Sequence, residues 1–100
     1  MRGQVFWVDF GFGRKPWVVL SNNVRNRNLD TVLAARITTT ATNAELPTVV
    51  ELASDDPVAG YVVVDDIVQL YRDQDLAEPG GALGVQTMNK ISQALRTALP

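Results

Sequence analysis

Histidine and cysteine are both missing from this chain of 100 residues. Without histidine, the side chain most often used for proton transfer near neutral pH is gone, and so is the commonest metal ligand. Without cysteine, neither a disulfide framework nor a thiolate zinc site can be drawn, which suits a reducing cytosol. No run of about 18 apolar residues occurs, and no apolar stretch of signal-peptide length follows Arg2. We therefore expect a soluble, non-exported, cytoplasmic protein with no membrane partner. Any catalysis has to be done by carboxylates, hydroxyls, amides, lysine or arginine.

Hydrophobic residues make up 46% of the chain and charged ones 20%. At this length a single domain over residues 1–100, burying roughly two-thirds of its unfolded surface, is the expectation. Net charge is −2, which argues against a polyanionic partner until the distribution is read. Six of the nine cations lie before residue 45, against Asp9 and Asp30, whereas nine of the eleven acids lie within residues 45–80, where Arg72 is the lone cation. Local potential governs what a groove attracts, so a polyanion is not excluded.

Short β-branched and aromatic runs bounded by glycine and proline predict strands at Gln4–Phe10, Trp17–Leu20, Thr31–Thr40 and Pro47–Leu52. Tyr61–Val64 and Ile67–Leu70 form either one bent strand or two short ones parted by Asp65 and Asp66. SDDPVAG and EPGG read as breakers, and Leu83 as the seat of a last short strand. The asparagine-rich NNVRNRNLD, residues 22–30, reads as a loop with room for one helical turn. Met88, Ile91, Leu95 and Ala98 then recur at helical spacing and predict an amphipathic helix from about Val85 to Leu99. The expected class is mainly β with a C-terminal helix, a partly open barrel of the SH3-like kind.

Several residues carry two readings. Arg14 and Lys15 are either solvated charges in a turn or cations placed at a groove. Arg25 either contacts a nucleic-acid phosphate or serves the loop, and Asn22 either binds such a ligand or bonds its own backbone. Phe12 and Trp17 either stack unpaired bases or, for the tryptophan, join the core. Thr38 and Thr40 share a strand face, with Thr39 turned away. Asp65 and Asp66 are neighbours in a strand, which aims them to opposite faces and disfavours their clasping one metal ion, so no metal is expected. Either carboxylate can accept hydrogen bonds from base donors.

Taken in order and spacing, RGQVFWVDF, KPWVVLSNN with NRN after it, TVLAARITTT, LPTVVEL, VVVDDI and MNKISQAL resemble the MazF/PemK toxin endoribonucleases across nearly the whole chain. The resemblance implies a homodimeric barrel of the MazF/CcdB/PemK-like fold. It implies a metal- and cofactor-independent toxin that cuts single-stranded RNA by attack of a ribose 2′-hydroxyl on its own phosphate, leaving a 2′,3′-cyclic phosphate and a 5′-hydroxyl. A cognate MazE-like antitoxin would restrain it. The family's catalytic cation falls on Lys15 and its catalytic hydroxyl on Thr38, with RNA contacts at Phe12, Trp17, Asn22, Arg25, Thr40, Asp65 and Asp66. Many members carry arginine where this chain has Lys15, with Arg14 one position earlier, and lysine and arginine are not equivalent donors. Both are therefore candidates. Two alternatives share the fold: a gyrase-poisoning toxin such as CcdB, whose C-terminal tryptophan has no counterpart in the ending RTALP, and a non-catalytic barrel that only binds antitoxin or RNA.

Overall fold

Period-two alternation in the first strand sends Val5 to one face of a sheet and Phe6 and Val8 to the other, and each face is covered by its own apolar cluster. The structure is a computed structural model and describes residues 1–40 and 42–99. Along the chain run β1 (Gln4–Asp9), β2 (Arg14–Val19), α1 (Asn23–Asn28), β3 (Thr31–Thr38), β4 (Val49–Glu51), β5 (Tyr61–Tyr71), β6 (Pro79–Ala82) and α2 (Val85–Ala98). The strands pair antiparallel in the order β4-β5-β3-β2-β1-β6. They make a curled half-barrel closed on one side by α2, the mainly β architecture that the pattern of short strands predicts.

The bend of β5 falls where the two aspartates stand. Ala35 pairs with Ile67 while its neighbour Arg36 pairs with Val63, so three residues of β5 bulge out opposite none of β3. An odd insertion inverts the alternation. Val62 and Val64 therefore pack into the cluster under α2, whereas Leu70 packs into the opposite one. β5 is a single strand of 11 residues carrying this irregularity, the bent form of the two that the sequence allows.

Helix α2 lays Met88, Ile91 and Ala94 onto Val5, Val18, Ile37 and Val62. Ile91 is fully buried, a stabilisation of about 2 kcal/mol. Gly84, at the N-cap, has no side chain to satisfy the helix's first N–H groups. Asp56 takes up one of them from a distant turn: its carboxylate accepts from Gly84 N at 2.8 Å, and also from Thr87 Oγ1 at 2.6 Å and from Ala53 N, in its own turn, at 2.8 Å. Read from sequence as turn chemistry alone, Asp56 is the clamp between that turn and the helix. No helix among the described residues is long and apolar enough to cross a membrane.

Two expectations about elements need correction. The second strand starts at Arg14 rather than at Trp17, so the cation pair stands on a strand and the turn proper is shorter. Pro16 fits inside β2 because its ring nitrogen faces the β3 side, where pairing begins only at Trp17, so no ladder hydrogen bond is lost. EPGG is not a breaker: Pro79 and the two glycines open β6, the last short strand, which lies at the sheet edge against β1 and ends at Ala82, so that Leu83, the expected seat of that strand, falls just outside it. The bare backbone is used there, since a Cβ on Gly80 would stand 2.6 Å from Trp7 Nε1. Residues 23–28 of the asparagine-rich loop form a short helix.

Candidate active site

The turn after β1 is fixed by a single carboxylate. Asp9 Oδ1 accepts from Gly11 N at 2.7 Å and from Gly13 N at 3.2 Å, and both glycines sit at positive φ, 104° and 94°, where a side chain would be strained. The chain thereby turns back into β2 with Arg14 opposite Asp9 and Lys15 opposite Val8. Across the next pair, Trp17 faces Arg36. Beyond that pair the two strands are no longer bonded, and Lys15 and Thr38 lie on either side of the opening between them.

The end of β3 is itself set by a close backbone approach. Gly60 has φ 127°, and a Cβ there would lie 2.3 Å from the Thr38 carbonyl oxygen. Only glycine lets β5 begin so near to Thr38. The Thr38 hydroxyl oxygen accepts from Thr40 N at 3.1 Å, which holds its orientation while leaving its proton free to donate.

Arg14, Lys15, Arg36, Thr38 and Thr40 line one groove of about 520 Å³, with Trp7 in its wall. The three cations are not equally available. Arg14 pairs with Glu78, and its guanidinium lies over the Trp7 ring with Cζ 4.4 Å from the centroid. The Glu78 hydrogen bond raises the Arg14 pKa above its ordinary value, and the same contact holds the Glu78 carboxyl below the usual carboxylate range. Arg36 donates to Asp66 Oδ2 from Nε at 2.9 Å and from Nη2 at 2.8 Å. Among the described residues Lys15 makes no ion pair, and it is exposed. The positive charge left uncompensated in the groove is that of Lys15.

A second cavity of about 460 Å³ shares Arg36, Thr38 and Thr40 with the first and adds Asp65 and Asp66. Both aspartates line it, because the bulge in β5 breaks the alternation that would have sent them to opposite faces. Each already has a partner: Asp66 holds Arg36, and Asp65 Oδ2 accepts from Thr48 Oγ1 at 2.6 Å.

The remaining candidates lie elsewhere. Trp17 is 8% exposed and packs into the cluster with Phe6, Val8 and Leu70, so its face is not available to a base. Its partner is Phe10, edge to face at 5.6 Å. Phe12 is 89% exposed at the tip of the β1–β2 turn, outside both cavities. Asn22 caps α1 by accepting from Arg25 N at 2.9 Å. Arg25 donates to Thr31 O at 2.9 Å and to Thr31 Oγ1 at 3.2 Å, tying α1 to the start of β3. Their work is structural, and neither lines the groove. The buried member of the loop is Asn26, which accepts from Ser21 Oγ at 2.6 Å and donates to Ser21 O at 2.9 Å.

Sequence reading missed three residues of the site. Arg36 had a signal: it stands two and four positions before Thr38 and Thr40, on the strand face they share. Trp7 and Glu78 had none, since the pairing of β6 with β1 that brings Glu78 to Arg14 is invisible until EPGG is known to be a strand.

A curled six-stranded half-barrel with cations and hydroxyls along one groove defines the class, a small β protein whose site is suited to anions. The family model described as "PemK-like, MazF-like toxin of type II toxin-antitoxin system" matches residues 1–99. The protein named Endoribonuclease MazF1 of Mycobacterium bovis is 46% identical over 99 residues, covering 99% of this chain and 91% of its own. Endoribonuclease MazF4 of Mycobacterium tuberculosis matches with the same identity and coverage. A solved endoribonuclease in complex with its cognate antitoxin, from a mycobacterial species, superposes with a TM-score of 0.91 at 45% identity, covering 100% of this chain and 96% of that one. The MazE-MazF complex of Deinococcus radiodurans gives 0.81 at 26% identity, over 97% of this chain and 91% of the other. This chain belongs to the family of PemK-like, MazF-like toxins of type II toxin-antitoxin systems.

Proposed function

We infer that this MazF-type toxin endoribonuclease cuts single-stranded RNA in the groove between β2 and β3, without a metal ion. One observation carries the reading: Lys15, the cation without an acidic partner among the described residues, lines together with Thr38 a groove of about 520 Å³. The reaction asks little of a protein that has no histidine. The ribose 2′-oxygen attacks the adjacent phosphorus, the bond from phosphorus to the 5′-oxygen breaks, and the products are a 2′,3′-cyclic phosphate and a 5′-hydroxyl. The proton lost by the 2′-hydroxyl has to be taken up and one has to be supplied to the 5′-oxygen.

In this reading the Lys15 ammonium takes part in that proton transfer and neutralises the charge that builds on the non-bridging oxygens, an effect on the order of 3 kcal/mol for a well-placed donor. The Thr38 hydroxyl, held by Thr40 N, donates to a phosphate oxygen. Arg14 keeps the strand of RNA in place through the guanidinium donors that Glu78 does not occupy. Asp65 and Asp66, each engaged by a neighbouring side chain, contribute acceptors for bases rather than metal ligands.

The partners follow from the same groove. The mycobacterial neighbour was solved with its cognate antitoxin. A MazE-like antitoxin whose acidic segment lies along Lys15 and Arg14 would exclude RNA by charge and by volume. A homodimer is the assembly that family membership suggests. No observation favours the gyrase-poisoning alternative.

Incubation of the purified protein with a long RNA in EDTA tests the function. Discrete cuts ending in 5′-hydroxyls are expected, and RNA that stays intact contradicts the reading.

A further inference from the structure

The two cavities joined at Thr38 carry opposite balances of charge. Arg14, Lys15 and Arg36 line the first with no acid among its lining residues, while Asp65 and Asp66 outnumber Arg36 in the second. A phosphate is favoured in the first and repelled from the second. Arg36, Thr38 and Thr40 belong to both, so a nucleotide whose phosphate lies against Lys15 reaches the second cavity with its base. Leu46, Val49 and Val63 offer that base an apolar wall.

The polar groups there are only partly used. Arg36 directs both Nε and Nη2 to the same oxygen, Oδ2 of Asp66. Among the described residues, Oδ1 of Asp66 and the Nη1 donors of Arg36 have no partner, and Asp65 uses only Oδ2, on Thr48. The cavity thus sets carboxylate acceptors beside a guanidinium donor.

Resting on the groove reading above, we propose that the Arg36–Asp66 pair is a specificity determinant that selects guanine in the cavity next to the scissile phosphate. Guanine presents two adjacent donors, N1–H and the N2 amino group, to a carboxylate, and beside them O6 and N7 as acceptors for Arg36. The other bases fit worse. Adenine and cytosine place a ring acceptor beside their single amino group, and uracil flanks its one N–H with two carbonyls. In each case an acceptor faces an aspartate oxygen.

The test uses nine-residue 2′-O-methyl RNAs, which cannot be cut, with uracil throughout and guanine, inosine, adenine or cytosine at the centre. Binding to the intact protein is followed by fluorescence anisotropy. Inosine lacks only the N2 amino group, so guanine is expected to bind about tenfold more tightly than inosine, in line with the discrimination of a bidentate base contact. In Asp66→Asn, checked for native circular dichroism, the guanine-to-inosine ratio falls towards one whatever the change in overall affinity, whereas in Arg36→Ala guanine and inosine both lose their advantage over adenine, because O6 and N7 are common to the two. Equal binding of guanine and inosine by the wild type, or a guanine-to-inosine ratio unchanged in Asp66→Asn, overturns the proposal. Mapping cuts in a randomised RNA separates the two readings. Guanine preference in binding with no cleavage in EDTA sinks the catalytic reading and keeps the base site. Cleavage with no guanine at a fixed distance from the cut does the reverse.

Discussion

The Arg14 guanidinium lies over Trp7 with its Cζ 4.4 Å from the ring centroid, and Glu78, the residue just before β6, pairs with it there. Trp7 in turn rests on the bare backbone of Gly80. Arg14 is therefore a braced cation whose charge is shared with a carboxylate, and Lys15 beside it is not.

That difference separates the two cations in a kinetic experiment. Arg14 and Glu78 are each about half exposed, so their mutual attraction is screened by solvent and weak. Arg14→Ala is expected to lower single-turnover cleavage by roughly tenfold, mainly by weakening RNA binding and so raising KM. A loss in kcat as large as that of Lys15→Ala would show that both cations act on the reacting atoms.

Gly60 places Thr38, and its replacement reports on that placement. Alanine at this position would combine an unfavourable φ of 127° with a Cβ 2.3 Å from the Thr38 carbonyl oxygen, so β3 and β5 must part at that end. Gly60→Ala is expected to cost about 1–3 kcal/mol of stability and to reduce kcat at a temperature where the variant is still folded. Retention of wild-type kcat would mean that the position of Thr38 is not critical.

Asp56 gives the fold an acid-labile joint. Burial alone would raise its pKa, but the hydrogen bonds from Gly84, Thr87 and Ala53 outweigh that and hold it below the ordinary value near 3.8. Because the folded value is depressed, the contribution is fully present above pH 3.8 and is lost as pH falls through the lower folded value. Asp56→Ala removes a helix cap and is expected to cost about 2 kcal/mol, a fall in Tm of roughly 10 °C at this chain length. Calorimetry of wild type and variant from pH 7 down to pH 2 checks the sign: the gap between them should narrow on acidification. A gap that is constant with pH would place the effect elsewhere.

The strands and α2 were legible because their signals are local. Alternation in QVFWVD, the run TVLAARIT and the spacing of Met88, Ile91 and Leu95 each declare one element without help from the rest of the chain. β6 was not legible, since a Pro-Gly-Gly strand is stable only through what lies on it, here Trp7 and Pro57. Of the candidate site, family resemblance singles out Lys15 and Thr38, which line one groove, but the bulge that gathers Asp65 and Asp66 into one cavity has no signal in the sequence. Trp17 illustrates the ambiguity of aromatics: strand alternation gives it a face, but only the packed second cluster shows that the face is inside.

The account turns on Lys15 and Thr38 acting in one groove, and the most direct measurement is the single-turnover cleavage rate of Lys15→Ala in EDTA against that of the wild type, with circular dichroism as the control for folding. A well-placed donor lost from the transition state predicts a fall of about 10²–10³, and Thr38→Ala should lose cleavage as well. Wild-type rates in a correctly folded Lys15→Ala protein would contradict the assignment of the groove.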